Sequence, residues 1–180
     1  MSLKYFYKDL DAVVNNKNIL IKLKWLICSH TLHLVFFIRL GQSLAKVPIF
    51  GIFFRVLIEY LIRIIYASDI SLKAKIGYGL IISHGHDIVI GADVTIGNNC
   101  KIFNGVTLGN KDITLPSKDN QPKIGNNVVI ATGAKILGPI CVGNSSTIGA
   151  NAVVITDIGD GETAVGIPAK CKEISNIFIY

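Results

Sequence analysis

A chain of 180 residues, 51% hydrophobic and 17% charged, suits one compact domain, or a domain with a helical appendage, and is too apolar to be disordered. Its net charge of +6 is uneven: residues 1–66 carry nine Lys/Arg against three Asp/Glu, and residues 67–180 carry nine of each. That asymmetry argues against a nucleic-acid-binding core and directs the N-terminal third toward an anionic surface such as lipid headgroups, or simply toward solvent.

The opening "MSLKYFYKDLDAVV" has acidic residues where a secretory signal needs an apolar core, so no signal peptide is expected. Residues 1–66 read as an apolar, basic helical region. "WLICSHTLHLVFFIRLGQSLAK" is predicted to form one helix ending near Gly41, and "KVPIFG" supplies the break before the next. In "IFFRVLIEYLIRIIYA", Arg55, Glu59 and Arg63 stand at i, i+4, i+8, a charged stripe expected to hold two ion pairs. Charges at Arg39, Lys46, Arg55, Glu59 and Arg63 interrupt every apolar run before it reaches the ~18–20 residues of a bilayer span. The helices then pack in a larger assembly or lie at a membrane surface, and both readings stay open.

From residue 67 to 172 the period is six. Ile70, Ile76, Ile82 and Ile88 are six apart; after a two-residue slip come Ile90, Ile96, Ile102 and Leu108. The series resumes at Ile124, Ile130, Ile136, Val142, Ile148 and Val154, often with glycine directly after and a small or β-branched residue two places before. Neither a strand's period of two nor a helix's 3.6 explains that grid. A parallel β-helix does, each hexapeptide forming one flat side of a triangular coil. The expected class is therefore mainly β, with a helical appendage at 1–66, one protruding loop at 110–122 and a C-terminal tail at 173–180. The four cysteines, Cys28, Cys100, Cys141 and Cys171, form no CxxC, so neither a disulfide framework nor a zinc motif is expected and a reducing cytoplasm is the default.

Hexapeptide repeats, a loop between coils and a terminal "GIPAK" (166–170) resemble the left-handed β-helix acyltransferases. Within them, "DISLKAKIGYGLIISHGHDIVIG" resembles the serine acetyltransferase branch, whose pattern is D-I-H-P-x-A-x-I-G-x-G-I-x-x-D-H-A-T-G-I-V-I-G, and the match continues through "GVTLGN" and "PKIGNNVVIATGAKILGPICVG". The resemblance implies that His84 is the catalytic base and Asp69 the carboxylate that orients it. Acetyl transfer from a thioester to a hydroxyl needs a base near neutral pKa, and a carboxylate on its far nitrogen fixes the tautomer. It also implies acetyl-CoA as co-substrate, lying between subunits of a homotrimer against Asn110, Thr132 and Ala150, with Lys170 and Lys172 near its phosphates. A backbone N–H near Asn110 would stabilise the oxyanion. No metal is implied, and His86, where the family has threonine, is a solvated bystander or a substrate contact.

Three acceptor positions depart from that branch. Ser83 replaces the aspartate before the catalytic histidine, and Asn120 and Gln121 replace the arginine and histidine of R-H-P-K-I. With Asn104 they make a neutral hydrogen-bonding set, which suits an uncharged sugar better than a zwitterion. The short, apolar, basic helical region is closest in character to capsule and exopolysaccharide (colanic acid type) O-acetyltransferases. The expectation is thus an O-acetyltransferase acting on a saccharide, lipid-linked or free, in surface polysaccharide biosynthesis, cytoplasmic and peripheral at the inner membrane face. The alternatives are a divergent serine O-acetyltransferase, an amino-sugar N-acetyltransferase and a non-catalytic β-helix scaffold.

Overall fold

The computed structural model of the chain describes residues 2–172, so the expected tail at 173–180 lies outside the described residues. Four helices come first: α1 (Ser2–Val14), α2 (Ile19–Cys28), α3 (His30–Leu44) and α4 (Gly51–Tyr66). The single helix expected from Trp25 onward is two. Ser29 divides it: its N–H donates to the Trp25 carbonyl at 2.9 Å to end α2, and its hydroxyl accepts from Leu32 N at 3.3 Å to cap α3. Serine competes with the helical backbone for such bonds, so it breaks an otherwise unbroken apolar run. The two helices are bent by 84°. Gly41 is no stop signal either. It lets α3 approach the β-domain, since a Cβ there would lie 2.4 Å from Leu72 Cδ1.

Three strands then make each coil. The first holds β1 (Asp69–Ile70), β2 (Lys75–Ile76) and β3 (Ile81–Ser83), the second β4 (Val89–Ile90), β5 (Thr95–Ile96) and β6 (Lys101–Phe103). The third holds β7 (Thr107–Asn110), β8 (Lys123–Ile124) and β9 (Val129–Ile130), the fourth β10 (Lys135–Gly138), β11 (Cys141–Val142) and β12 (Thr147–Ile148). The last has β13 (Val153–Val154) and β14 (Thr163–Val165), followed by β15 (Lys170–Lys172). They stack as three parallel faces: β1-β4-β7-β10-β13 (face A), β2-β5-β8-β11 (face B) and β3-β6-β9-β12-β14 (face C), the last closed by antiparallel β15. This is the parallel β-helix that the six-residue period predicts, of the left-handed class that the family resemblance implies.

The grid of aliphatics points inward. Ile70, Ile90, Leu108, Ile136 and Val154 are in register along face A, and all are buried. Each such side chain contributes roughly 1.5–3 kcal/mol on burial. The smaller residues two places earlier (Val94, Cys100, Val106, Val128, Ala134 and Ala152) are all 0% exposed and fill the space at the corners. At the corner from face B to face C, a ladder of side chains carries the turns. Asn98 Oδ1 accepts from Tyr78 N, Asn126 Oδ1 from Asn98 N, Asn144 Oδ1 from Asn126 N and Asp160 Oδ1 from Asn144 N.

The helices cover the first coil, and their polar side chains satisfy its open backbone edge. Arg39 donates to the carbonyls of Ile76 (2.9 Å) and Gly77 (2.5 Å) and forms a fully buried pair with Asp9, Nε to Oδ2 at 2.8 Å. Asp9 in turn accepts from Leu80 N at 2.9 Å, and Gln42 donates to the Ala74 carbonyl at 2.9 Å. The two ion pairs expected along α4 are absent among the described residues. Glu59 accepts from Leu72 N at 2.8 Å and Arg63 donates to Asp69 at 2.7 Å, so the stripe is spent on the β-helix rather than on itself. Among the described residues no single helix is long and apolar enough to cross a membrane; α2 and α3 together pass by length and composition only.

Candidate active site

The slip in the repeat marks a widened corner. From face C to face A, six residues separate Ile102 from Leu108, Ile130 from Ile136 and Ile148 from Val154, whereas eight separate Ile82 from Ile90. In the regular corners one residue takes a left-handed conformation: Gly105 (φ +69°), Gly133 (φ +73°) or Asn151 (φ +55°). Asp87 (φ +57°) fills that place in the first coil, and His84 (φ +54°) is a second left-handed residue. Such backbone is uncommon outside glycine and collects at functional sites.

The start of α3 seats this corner. Gly85 lies so close that a Cβ would be 2.9 Å from Leu34 Cδ2, and the His86 ring stacks on His30 at 6.2 Å with 17° between planes. His84 is exposed and lines a cavity of about 700 Å3 between face C and the helices, with Ser83, Lys101, Lys24, Trp25 and His30 on its walls. Of these, only Ser83 and His84 were expected at a site. Lys24, Trp25, His30 and Lys101 come from three separate elements, and no local motif joins them.

Three further expected residues share the His84 edge, one per coil: Asn104, Thr132 and Ala150 follow β6, β9 and β12 at the corner from face C to face A. Thr132 Oγ1 bonds Asn104 Oδ1 at 3.2 Å, while Gly133 N donates to the Asn104 carbonyl and Asn151 N to that of Thr132, both at 2.9 Å. Asp69, at the start of face A, gives its carboxylate to Arg63, a contact that raises the pKa of the guanidinium. Among the described residues no hydrogen bond joins Asp69 to His84.

Asn110, Asn120 and Gln121 sit at the other end of face A, where the loop leaves. The Asn110 amide donates to the carbonyls of Leu115 (2.8 Å) and Pro116 (3.3 Å), and that of Asn120 to Pro116 (2.9 Å) and Lys118 (3.0 Å). Gln121 is buried against Gly91, and its Oε1 and the Asn110 Oδ1 lack partners. Within the loop, Asp112 accepts from Thr114 hydroxyl and backbone, which lowers its pKa. One chain therefore does not bring this set to His84. Lys170 is exposed on β15 at the far end of the stack. No group of three His, Cys, Asp or Glu suited to hold a metal ion occurs among the described residues.

The family profile for bacterial transferase hexapeptide (six repeats) matches residues 121–156. The serine acetyltransferase of Helicobacter pylori (strain J99) is 42% identical over 139 residues, covering 77% of this chain and 79% of that one. This chain belongs to the serine acetyltransferase family. The family's Bacillus subtilis enzyme is 39% identical over 140 residues, and there the match spans 62% of the relative. The crystal structure of Neisseria gonorrhoeae serine acetyltransferase matches with a TM-score of 0.82 at 30% identity, covering 98% of this chain and 67% of that one. A serine acetyltransferase solved in complex with CoA gives a TM-score of 0.81 at 30% identity, covering 95% and 69%. The protein is thus a hexapeptide-repeat acyltransferase, not a bare scaffold. The comparisons favour the serine acetyltransferase branch over the capsule and exopolysaccharide type, and give no support to a role in polysaccharide biosynthesis. The short apolar helices suggested that type, but the likeness runs through the whole chain rather than through them.

Proposed function

We propose that this chain transfers the acetyl group of acetyl-CoA to the hydroxyl of L-serine, with His84 as general base. The observation that carries the reading is the position of His84: on the widened corner between face C and face A, at a cavity, in a chain 42% identical to a serine acetyltransferase over 79% of that enzyme's length. His84 takes the hydroxyl proton as the oxygen attacks the thioester carbonyl; the C–S bond then breaks, and CoA leaves as the thiol with the proton that His84 returns. Asp69, at the start of the same coil on the adjoining face, is the carboxylate available to steady the imidazolium once Arg63 releases it. Thr132 and Ala150 are exposed on the same edge, which fits a pantetheine arm running along it. Lys170 and Lys172 at the end of the stack fit its phosphates.

The placement of Asn110, Asn120 and Gln121 at the opposite end of face A supports a homotrimer, in which a neighbouring copy brings that edge to His84. Exposed apolar residues on α2 and α4, among them Ile27, Ile52 and Phe53, support a larger assembly through the helices. Sedimentation with anionic vesicles tests the membrane-surface alternative.

A second reading, an uncharged saccharide as acceptor, is favoured by one observation: Ser83, Asn120 and Gln121 stand where the family carries charge. Purified protein with acetyl-CoA and either L-serine or neutral oligosaccharides separates the two, with product identified by mass spectrometry. O-acetylserine is expected, and His84→Ala should lower its formation about 100- to 10,000-fold. Acetylated sugar without O-acetylserine overturns the choice of acceptor, and thiol release unaffected by His84→Ala overturns the mechanism.

A further inference from the structure

The cavity at His84 has a charge that the sequence reading did not anticipate. Lys24 from α2 and Lys101 from β6 both line it, His30 from the start of α3 joins them, and no carboxylate is among its lining residues. Among the described residues neither lysine has an acidic partner. Lys101 is instead held over the Phe103 ring, 4.9 Å from its centroid, which keeps an ammonium in place without neutralising it. The helical side is equally determined. Lys22 is tied to Asp11 at 2.5 Å, fixing α2 on α1. The Ser29 break then turns the chain by 84°, so that Cys28 and His30 complete the wall. Two lysines in a cavity otherwise lined by apolar and neutral groups favour an anionic acceptor, because a neutral one leaves their ammonium groups facing a partner that cannot pair with them.

The geometry points to Lys24 and Lys101 as the residues that hold the acceptor's carboxylate while His84 faces its hydroxyl. The helical region thereby supplies a specificity residue, and a cation from another part of the fold stands in for the one missing at position 120. The inference rests on His84 being the base, and deepens that reading by naming the residues that recognise the acceptor. L-serine and an acidic sugar such as a hexuronate share this chemistry.

The test pairs each acid with its amide: L-serine with L-serinamide, and D-glucuronate with D-glucuronamide. The acid of the accepted pair should be preferred by about tenfold or more in kcat/KM. Lys24→Ala and Lys101→Ala should each raise KM for that acid by about tenfold and collapse the preference, with kcat little changed. Lys73→Ala, an equal loss of charge elsewhere, should keep the preference. Amides used as well as acids, or a preference intact in the Lys24→Ala/Lys101→Ala double variant, would overturn the assignment. Which pair reacts distinguishes amino acid from sugar.

If neither pair is acetylated, the choice of serine fails, and binding still decides the inference. The histidine side-chain NMR signal that vanishes in His84→Gln is followed as each compound is added. A saturable shift with an acid but not its amide, lost in the double variant, supports the carboxylate site. No shift, or equal shifts with acid and amide, refutes it.

Discussion

The β-helix and the helical layer are held together on opposite principles. In the β-helix every coil repeats the same few contacts: an inward aliphatic per face, a small residue at the corner, an Asn or Asp that accepts from the coil before. Losing one leaves the rest in place. The helical layer packs Leu34, Val35, Ile38, Ile58 and Ile62 into the same core, but its polar contacts are single and unrepeated, and of these the Asp9–Arg39 pair is the most buried. Redundancy makes a fold legible and tolerant, whereas a sole contact is neither.

The largest effect should come from the sole contact. Arg39→Leu strands the Asp9 carboxylate, which is 0% exposed, and two carbonyls of the first coil. A loss of about 3–5 kcal/mol is expected, with the helical signal at 222 nm melting at lower urea than the strand signal. A single transition, shifted as a whole in both signals, would show that the two regions unfold as one. Gly97→Ala attacks the repeat itself, since its Cβ would sit 2.4 Å from the Gly125 carbonyl oxygen. About 1–3 kcal/mol is expected, carried by the strand signal. A loss as large as that of Arg39→Leu would deny that repetition spreads the damage.

Ser29→Ala removes the cap of α3 and should cost about 1 kcal/mol in the same denaturant titration. Its second readout is weaker acceptor discrimination, because the bend it supports walls the cavity. The smallest effect lies at the other end of the stack. The Cys171 thiol donates to Glu162 at 2.9 Å, which pushes its pKa up to about 11 and lowers that of Glu162. Cys171 should therefore stay protonated and slow to alkylate until the pH nears that value. Glu162→Gln should bring the reactive range down without changing activity.

How much could be read in advance follows from the same contrast. The β-helix was plain because its inward positions recur every six residues and the corners need glycine or small side chains. His84 was found through a motif, and the slip from Ile88 to Ile90 was its second mark, since two added residues push that corner outward. The break at Ser29 was missed because apolar residues continue on both sides of it, so hydrophobic periodicity carries no trace of the bend. Arg39 and Asp9 lie thirty positions apart, and Lys24, His30 and Lys101 meet only through the packing of helices on face C. Within one chain Asn120 and Gln121 stand at a separate corner from Ser83, and it is the proposed trimer that would reunite the set.

The row of side chains from Asp9, Arg39, Gln42 and Glu59 on the first coil has a further consequence. A parallel stack ends in a rung of unsatisfied amides and carbonyls, which is a template on which another chain could continue the coil. Here that rung is occupied by the protein's own helices, and antiparallel β15 stops the opposite end of face C. Strand-on-strand continuation from the first coil is thus blocked, and association is left to the flanks, where the His84 corner lies, and to the exposed faces of the helices. The helical region serves as a terminator as much as a support, and a truncation that removed it would be expected to fibrillate before it merely lost activity.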